Sequence, residues 1–369
     1  MLHSFYEEAA KYRNFDFARF LSQVKSKDIE EILNKESLSI FDFLSLLSPE
    51  AVFYLEALAQ NANRISLANF GRVISLYAPL YLSNYCENEC AYCGFKHSNA
   101  ISRRKLSSAE LKREAQEISK TGIRHILILS GESRAESPLS YIKECVELLK
   151  EYFTSIFIEI YPLNVAEYTQ LFNSGVDGLT IYQETYDKAL YATLHSRGPK
   201  RDYIFRLGAP ERALEAGLRQ VNLGALLGLA DFRKDSFFTA LHAKWLEDNY
   251  PAAEIGVSFP RIQPQAGNFF PLHPLGDKDL AQLVIAMRLF LARVAITIST
   301  RENNILRKNL IGLGVTRISA GSRTEVGGYA LCAKSEGQFE IADKSSVDEV
   351  RDMVYKKGYQ PIFKDWQRI

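Results

Sequence analysis

The sequence has no excess of either charge and no long apolar run, and both absences exclude classes of function. Its 45 Lys and Arg residues are balanced by 44 Asp and Glu residues, so no net field favours nucleic acid or an anionic membrane. No apolar run approaches the roughly 20 residues that a membrane-spanning helix requires. The first residues lack the charged and then apolar layout of a signal peptide. We therefore expect a cytoplasmic protein that binds neither nucleic acid nor membrane.

Cysteine is also scarce, and its distribution is uneven. The chain of 369 residues has five cysteines, an odd number, and three of them fall within eight residues. In a large chain without signs of secretion, such a cluster favours metal binding over disulfides. Because 47% of the residues are hydrophobic and 24% are charged, the composition is that of an ordinary globular protein with a sizeable core.

A change of pattern near residue 70 indicates the fold. Residues up to about 65 read as helices, and a helix is expected to begin at Ser48-Pro49. Short apolar runs then alternate with amphipathic stretches, which predicts parallel β–α units. Eight such units indicate an α/β fold of the (β/α)8 TIM-barrel type, with a partial barrel or an open doubly wound sheet as alternatives. The candidate strands are Ala78–Leu82, His125–Leu129, Ile156–Ile160, Leu179–Tyr182, Gln220–Leu223, Ile255–Phe259, Val294–Ile298 and Val315–Ile318.

This reading divides the chain into three parts. Residues 1–69 form an N-terminal helical extension, 70–325 the barrel, and 326–369 a C-terminal extension packed on the barrel, with a final helix from Ser346 to Lys357. Capping-box patterns begin helices at Ser107 and Asn164. Polar or glycine-containing segments follow nearly every candidate strand. Since the carboxyl ends of barrel strands meet at one rim, these segments are expected to surround one cavity.

Cys86-x3-Cys90-x2-Cys93 is the strongest functional signal. Cysteine thiolates are the usual ligands of iron–sulfur clusters. Three of them can hold a 4Fe–4S cluster whose fourth iron stays open to an amino acid cofactor such as S-adenosyl-L-methionine. A structural zinc site is the alternative, but it needs four ligands, and His97 is the one nearby candidate. Cys145, on an amphipathic helix, and Cys332, without a ligand-spaced neighbour, are expected to be inert thiols.

Other candidate residues follow the strands. Gly131 and Glu132 would let a ligand approach the backbone and bind its ammonium group. Gly224 lies in a glycine-rich segment that lacks the Lys–Ser/Thr pair of a phosphate loop, so adenine contact and tight packing are both open. Arg206, on a helical segment, could reach the cofactor carboxylate. Arg261 and Arg301 emerge from strand ends as possible carboxylate clamps, and an ion pair with Glu302 is the alternative.

With these residues placed, the sequence resembles the 2-iminoacetate synthases, the radical S-adenosylmethionine tyrosine lyases of bacterial thiamine thiazole synthesis. The resemblance covers nearly the whole chain. Two positions depart from the pattern: Ser130 precedes Gly131 where many superfamily members have a second glycine, and Gln265 stands where some family members have cysteine. The resemblance is carried by the cysteine motif with Tyr92, Tyr182-Gln183-Glu184-Thr185-Tyr186, Leu223–Leu229, Val257–Arg261, Ser299-Thr300-Arg301-Glu302 and Lys364-Asp365-Trp366.

The resemblance implies an activity and a set of site residues. L-Tyrosine would be cleaved at its Cα–Cβ bond to 2-iminoacetate and p-cresol, while S-adenosylmethionine yields methionine and 5′-deoxyadenosine. Flavodoxin or ferredoxin would be the reductant, and the thiazole synthase the protein partner. The implied residues are Cys86, Cys90 and Cys93 for the cluster; Glu132, Gly131, Arg206, Tyr92 and Gly224 for the cofactor; Arg301 and Ser319 for the substrate; and Glu184 and Tyr182 for catalysis.

Three other functions compete with this one. The tyrosine lyase of iron–iron hydrogenase maturation carries a C-terminal domain with further cysteines, whereas only Cys332 lies beyond the predicted barrel here; this favours the thiamine enzyme. A tryptophan lyase of the same branch would use the same cluster and the same amino acid clamp. A non-catalytic scaffold that carries zinc or a cluster in a biosynthetic complex is the alternative from another class.

Overall fold

The strands of the computed structural model form one parallel sheet. The structure describes residues 4–331 and 336–364, so Cys332 and the Asp365-Trp366 pair lie outside the described residues. Within those ranges the strands are β1 (Val73–Ser83), β2 (His125–Ser130), β3 (Ser155–Glu159), β4 (Gly178–Glu184), β5 (Gln220–Ala225), β6 (Glu254–Ser258), β7 (Ala295–Ile298), β8 (Arg317–Ser319) and β9 (Gln360–Ile362).

The sheet closes into a barrel. Its order runs from β2 through β8 to β1, and β1 pairs back with β2, with Ala78 opposite Ile126. This closure confirms the predicted (β/α)8 barrel and excludes the open doubly wound sheet. All eight candidate strands are present, but β1 begins at Val73, before the predicted start. Its early residues Val73–Ser75 pair with β9, a strand that the sequence analysis missed.

Helices alternate with the strands and surround the barrel. Ser107 and Asn164 cap α6 and α8 by accepting hydrogen bonds from the backbone N–H groups of Glu110 and Glu167, as predicted. The helices are α1 (Phe5–Ala10), α2 (Phe17–Gln23), α3 (Ser26–Leu33), α4 (Ile40–Leu46), α5 (Leu55–Phe70), α6 (Ser108–Lys120), α7 (Leu139–Leu149), α8 (Val165–Ser174), α9 (Lys188–Leu194), α10 (Tyr203–Leu207), α11 (Ala209–Glu215), α12 (Phe232–Asn249), α13 (Asp277–Phe290), α14 (Asn304–Leu310) and α15 (Val347–Lys356), with short 3-10 segments at Glu50–Tyr54 and Pro199–Arg201.

A helical segment does begin beside Ser48-Pro49, and Ser48 Oγ accepts a hydrogen bond from the backbone N–H of Ala51 at 3.3 Å, but the helix type of the first turn and the end of the helix differ from the prediction. The first turn is the 3-10 segment Glu50–Tyr54, and the α-helix runs on to Phe70, beyond the expected limit near residue 65. Gly71 ends that helix with a φ of 64°. Only glycine adopts this backbone conformation without steric cost.

The N-terminal helices pack against the outer helices of the barrel. The Phe5 ring stacks on His242 of α12, with centroids 3.8 Å apart, and Phe43 of α4 lies 5.4 Å from Phe290 of α13. Gln282 Nε2 donates to the carbonyl oxygens of Leu46 and Ser48 at 2.8 and 2.9 Å. Among the described residues, none from the N-terminal helices lines the cavity described below. Among the described helices, none combines the length and apolarity needed to cross a bilayer.

Candidate active site

The cysteine loop follows β1 at the barrel mouth and is fastened on both sides. The backbone N–H of Glu87 donates to the carbonyl of Glu132 at 2.8 Å, and that of Ala91 donates to the carbonyl of Leu194 at 3.0 Å. Arg103 Nη1 donates to the carbonyl oxygens of Asn84 and Phe95 at 2.7 and 2.8 Å, which ties the two ends of the loop together. The loop is therefore held before any ligand binds.

The three cysteines of this loop are free thiols in a protected setting. Burial raises the pKa of Cys86, and the backbone N–H groups of Asn88 and Glu132 oppose the shift. Burial also raises the pKa of Cys90, which the Lys200 ammonium opposes. Such thiols become good ligands when a metal displaces their protons.

The loop fits a cluster better than a single metal ion. Across residues 4–331 and 336–364, no three Cys, His, Asp or Glu side chains are grouped tightly enough to hold one ion. His97, the candidate fourth zinc ligand, is exposed and has its Nδ1 3.2 Å from the carbonyl oxygen of Cys86. In an iron–sulfur cluster each thiolate binds a separate iron, so three spaced thiols on one loop match the larger group.

Gly131 and Glu132 pack directly against the cysteine loop. A Cβ atom on Gly131 would lie 2.3 Å from the carbonyl oxygen of Tyr85 and 3.2 Å from Cys86 Cβ, so no larger residue fits without moving the loop. Glu132 Oε2 accepts a hydrogen bond from Asn88 Nδ2 at 2.6 Å. The predicted cofactor residues thus lie beside the predicted cluster residues.

Glu184 ends β4 in a strained and ion-paired state. Its φ is 70°, which is unusual for any residue other than glycine and accompanies a β-bulge between Tyr182 and Glu184. Lys200 Nζ lies 2.6 Å from Glu184 Oε1, and Arg206 Nη2 lies 3.5 Å from the same oxygen. Burial raises the pKa of Glu184, but the two cations outweigh it and the net shift is downward. The carboxylate is therefore ionised at neutral pH.

Arg206 and Tyr92 both contact the Glu184–Lys200 ion pair: Arg206 pairs with Glu184, and Lys200 lies over the Tyr92 ring. Arg206 is buried on α10, although most helical arginines are solvated, and its Nε donates to the carbonyl of Tyr182 at 2.7 Å. The Tyr92 hydroxyl lies 2.7 Å from His195 Nε2, whose Nδ1 is 2.7 Å from the carbonyl of Tyr191. Since burial lowers the pKa of His195 to about 3, the ring is neutral: Nδ1 donates and Nε2 accepts from Tyr92.

Gly224 serves the packing of the barrel. A Cβ at this position would lie 2.1 Å from the carbonyl oxygen of Ser258 on β6. Packing alone therefore requires glycine here, and the predicted contact with a cofactor stays a prediction. Tyr182, by contrast, faces a central cavity that Tyr92, Glu184 and Arg301 also line. Burial raises the pKa of its phenol well above the usual range.

Arg301 and Ser319 also line that cavity. The Arg301 guanidinium stacks 3.4 Å from the centroid of the Phe339 ring, and none of the ion pairs among the described residues includes Arg301. Ser319 Oγ accepts a hydrogen bond from the backbone N–H of Thr300 at 3.1 Å. Arg261, the other candidate clamp, is instead bound to Glu302 through two nitrogens and to Asp277 at 2.8 Å. The ion-pair alternative thus describes Arg261.

One cavity connects these groups. Its wall includes Tyr92 and Cys93 of the cysteine loop, and it also includes Glu184, Lys200 and Arg301. Sequence reasoning missed Lys200, in the 3-10 segment Pro199–Arg201, and His195, at the end of α9, because no motif marks either residue. It also missed Glu159, which faces the cavity from the last position of β3. Glu159 lies inside the predicted strand Ile156–Ile160. An acidic residue within an otherwise apolar run was the signal that could have identified it.

Comparison with known proteins identifies the family. Residues 80–235 match the model of the radical SAM superfamily, and residues 258–360 match the Biotin and Thiamin Synthesis associated domain. The 2-iminoacetate synthase of Escherichia coli is 39% identical over 96% of each chain, and that of Salmonella typhimurium is 39% identical over 92% of this chain and 90% of its own. The FeFe-hydrogenase maturase HydG from Carboxydothermus hydrogenoformans superposes with a TM-score of 0.89 at 30% identity, covering 98% of this chain and 86% of its own.

The barrel, the cysteine loop and the family matches define a radical S-adenosylmethionine enzyme. Membership of that superfamily implies a 4Fe–4S cluster and S-adenosylmethionine as cofactors. Because identity to the curated relatives is 39% over nearly the full length of both chains, the protein belongs to the 2-iminoacetate synthase family, whose members are carbon–carbon lyases.

Proposed function

We propose that this protein cleaves the Cα–Cβ bond of L-tyrosine to give 2-iminoacetate and p-cresol, for thiamine thiazole biosynthesis. When bound and reduced, the cluster supplies the electron that splits S-adenosylmethionine into methionine and a 5′-deoxyadenosyl radical. Tyrosine would give a hydrogen atom to that radical, which forms 5′-deoxyadenosine, and its Cα–Cβ bond would then break. A second electron from the reductant, together with a proton, would convert the released side-chain fragment into p-cresol. Family membership and the arrangement of the cavity together support this activity.

One observation carries the proposal: the cysteine loop and an arginine that forms no ion pair among the described residues line the same cavity. Tyr92 and Cys93 of the cysteine loop line this cavity together with Arg301 and Ser319. The planar guanidinium suits bidentate binding of a carboxylate. A substrate held there would have its reacting atoms between the clamp and the cofactor, and such positioning lowers the barrier to a single hydrogen transfer.

The remaining roles follow from charge. We assign Glu132 to the ammonium group of the cofactor and Arg206 to its carboxylate, with Gly131, Gly224 and Tyr92 beside it. Glu184 stays ionised through Lys200 and Arg206, so it can accept hydrogen bonds from the bound ligands. Tyr182 faces the cavity through its ring. Exclusion of water by this mostly buried wall protects a reactive carbon radical from side reactions.

Two protein partners belong to the proposal. A flavodoxin or ferredoxin would reduce the cluster, and the thiazole synthase would receive 2-iminoacetate. Both are carried over from the resemblance.

The test is anaerobic incubation of the reconstituted protein with S-adenosylmethionine, dithionite and L-tyrosine, followed by chromatography. Formation of both 5′-deoxyadenosine and p-cresol is expected. 5′-Deoxyadenosine without p-cresol would contradict tyrosine cleavage and direct the assay to tryptophan. Zinc at one per chain without sulfide would contradict the enzyme and support a scaffold.

A further inference from the structure

The cavity contains one carboxylate, that of Glu159, which has no ion-pair partner among the described residues. Glu184 is bound by Lys200 and Arg206, and outside the cavity Glu302 is bound by Arg261. Glu159 has neither a hydrogen bond nor an ion pair to its side chain within residues 4–331 and 336–364, yet it lines the same cavity. Leaving a carboxylate in such a setting costs free energy unless a cation or a proton neutralises it.

The surroundings of Glu159 show how weakly the protein itself neutralises the carboxylate. Burial raises the pKa of Glu159 to about 7, and Arg301 is the cation that opposes this shift most, ahead of Arg206 and Lys200. Three tyrosines lie close enough for the Glu159 charge to raise the pKa of their phenols: Tyr77, Tyr81 and Tyr182. The carboxylate thus faces a mainly aromatic space in which a bound cation would be favourable.

We propose that Glu159 binds the α-ammonium group of the substrate while Arg301 and Ser319 bind its carboxylate. The proposal rests on the proposed function, because it assumes an amino acid in this cavity. An amino acid carries both charges on one carbon, so the groups that recognise them must lie near each other. Glu159, Arg301 and Ser319 meet this requirement because all three line the same cavity. Glu184 is a poorer candidate because two cations already neutralise it.

The recognition has a consequence for specificity. A des-amino acid with the same ring would keep the contact with Arg301 but would place no cation opposite Glu159. A charge-assisted hydrogen bond is about twice as strong as a neutral one, and the half-buried carboxylate would be left unpaired. Glu159 would therefore select amino acids over their des-amino analogues.

The test compares two ligands on two proteins. Binding of L-tyrosine and of 3-(4-hydroxyphenyl)propanoate is measured by calorimetry on the reconstituted protein with S-adenosylmethionine and without reductant, so that no turnover occurs. We expect the wild type to prefer tyrosine by about tenfold or more, and Glu159→Gln to weaken tyrosine binding by about tenfold while changing binding of the analogue by less than about twofold. Equal changes for both ligands would overturn the proposal.

Two controls distinguish a wrong assignment of Glu159 from a variant that does not fold and from a wrong proposed function. Glu184→Gln is the matched variant on the same wall, and loss of amino selectivity there instead of at Glu159 would overturn the assignment. If Glu159→Gln does not fold, the wild type still decides, because equal affinity for the two ligands would overturn the proposal. Wild-type p-cresol formation is followed in parallel: its absence counts against the proposed function, whereas its presence with an unselective Glu159 counts against this inference alone.

Discussion

The Lys200 ammonium nitrogen lies 2.6 Å from Glu184 Oε1, and both side chains are largely buried, with 13% and 9% of their surfaces exposed. Arg206 approaches the same oxygen, and the backbone of Glu184 holds a positive φ. The site therefore concentrates strain and charge at one residue of β4. Such a cost is typical of functional positions, where the surrounding structure maintains a conformation that the residue alone would avoid.

Lys200→Met is expected to destabilise the protein strongly. Removing one partner of a buried ion pair leaves the other charge buried, which costs about 3–5 kcal/mol; Arg206 will offset part of this. The free energy of unfolding, measured in urea, checks the prediction. Lys234→Met is the control, because Lys234 pairs with Asp187 at 3.0 Å where about a third of each side chain is exposed, and exposed pairs contribute about 1 kcal/mol or less. Equal losses in the two variants would contradict the prediction.

Gly131→Ala is expected to prevent stable cluster binding. The added Cβ would lie 2.3 Å from the carbonyl oxygen of Tyr85, so the loop that carries Cys86 must shift. Iron and sulfide per chain after anaerobic reconstitution measure the effect. Gly276→Ala is the control: its φ is −85° and its Cβ would meet Asp279 at an ordinary 3.5 Å. A full complement of iron in the Gly131 variant would show that the loop adapts.

Cys93→Ala is expected to lose most of the iron, and Cys145→Ala none of it. Both thiols are free, but Cys145 is buried on α7 in the main core and away from the cysteine loop. The visible absorption of the reconstituted proteins distinguishes them. Iron loss in the Cys145 variant as large as in the Cys93 variant would indicate that general destabilisation, and not ligation, controls cluster content.

Arg301→Ala is expected to impair tyrosine use far more than cleavage of S-adenosylmethionine. The guanidinium faces the substrate side of the cavity and has no carboxylate partner among the described residues, so its loss removes a binding charge without breaking an ion pair. Expected is a rise in KM for tyrosine of about tenfold or more, with 5′-deoxyadenosine formed without p-cresol. Arg301→Lys should recover part of the loss. Equal loss of both products would count against a substrate clamp.

His242→Phe is expected to reduce the loss of stability in acid. Burial lowers the pKa of His242 to about 3 from 6.5. Between these values the unfolded chain binds a proton that the folded protein does not, so stability falls as the pH drops below 6.5. The wild type should lose about 1.4 kcal/mol more than the variant between pH 7.5 and pH 5.5. Phenylalanine keeps the stack on Phe5, and the exposed His273→Phe is the control. Parallel pH profiles for the wild type and His242→Phe would contradict the assignment.

The barrel was predictable because its strands are apolar runs bounded by polar turns. The hydrophobic pattern of such a run is visible in the sequence without knowledge of the strands with which it pairs. β9 was not predicted because it is short, contains Pro361 and is defined only by its pairing with Val73–Ser75. The same pairing explains why β1 begins before Ala78. Long-range pairing of this kind leaves no local pattern in a sequence. The division into three domains stays a prediction.

The site was predictable where a motif fixes the chemistry, and less so elsewhere. The cysteines, Gly131 and Glu132 were found by spacing and order, and the structure brings them together. The charge state of Glu184 depends on Lys200, which lies in a short 3-10 segment far from any motif. Glu159 lies inside a predicted strand and was therefore not singled out. Arg261 and Arg301 look alike in the sequence, and only the tertiary ion pair with Glu302 separates them. The individual roles of the site residues remain predictions.

The pairing of β1 with both β8 and β9 also constrains the order of assembly. The strand that leads into the cysteine loop finds two of its neighbours, at Ser75–Tyr77 and Val73–Ser75, near the opposite end of the sequence. On the ribosome Val73–Tyr77 must wait, because contacts of such high sequence separation form only after the intervening chain has been synthesised, whereas Ala78–Ser83 can pair with β2 much earlier. The strand that supports the cysteine loop should therefore be completed only late in synthesis, and cluster insertion should follow release of the chain.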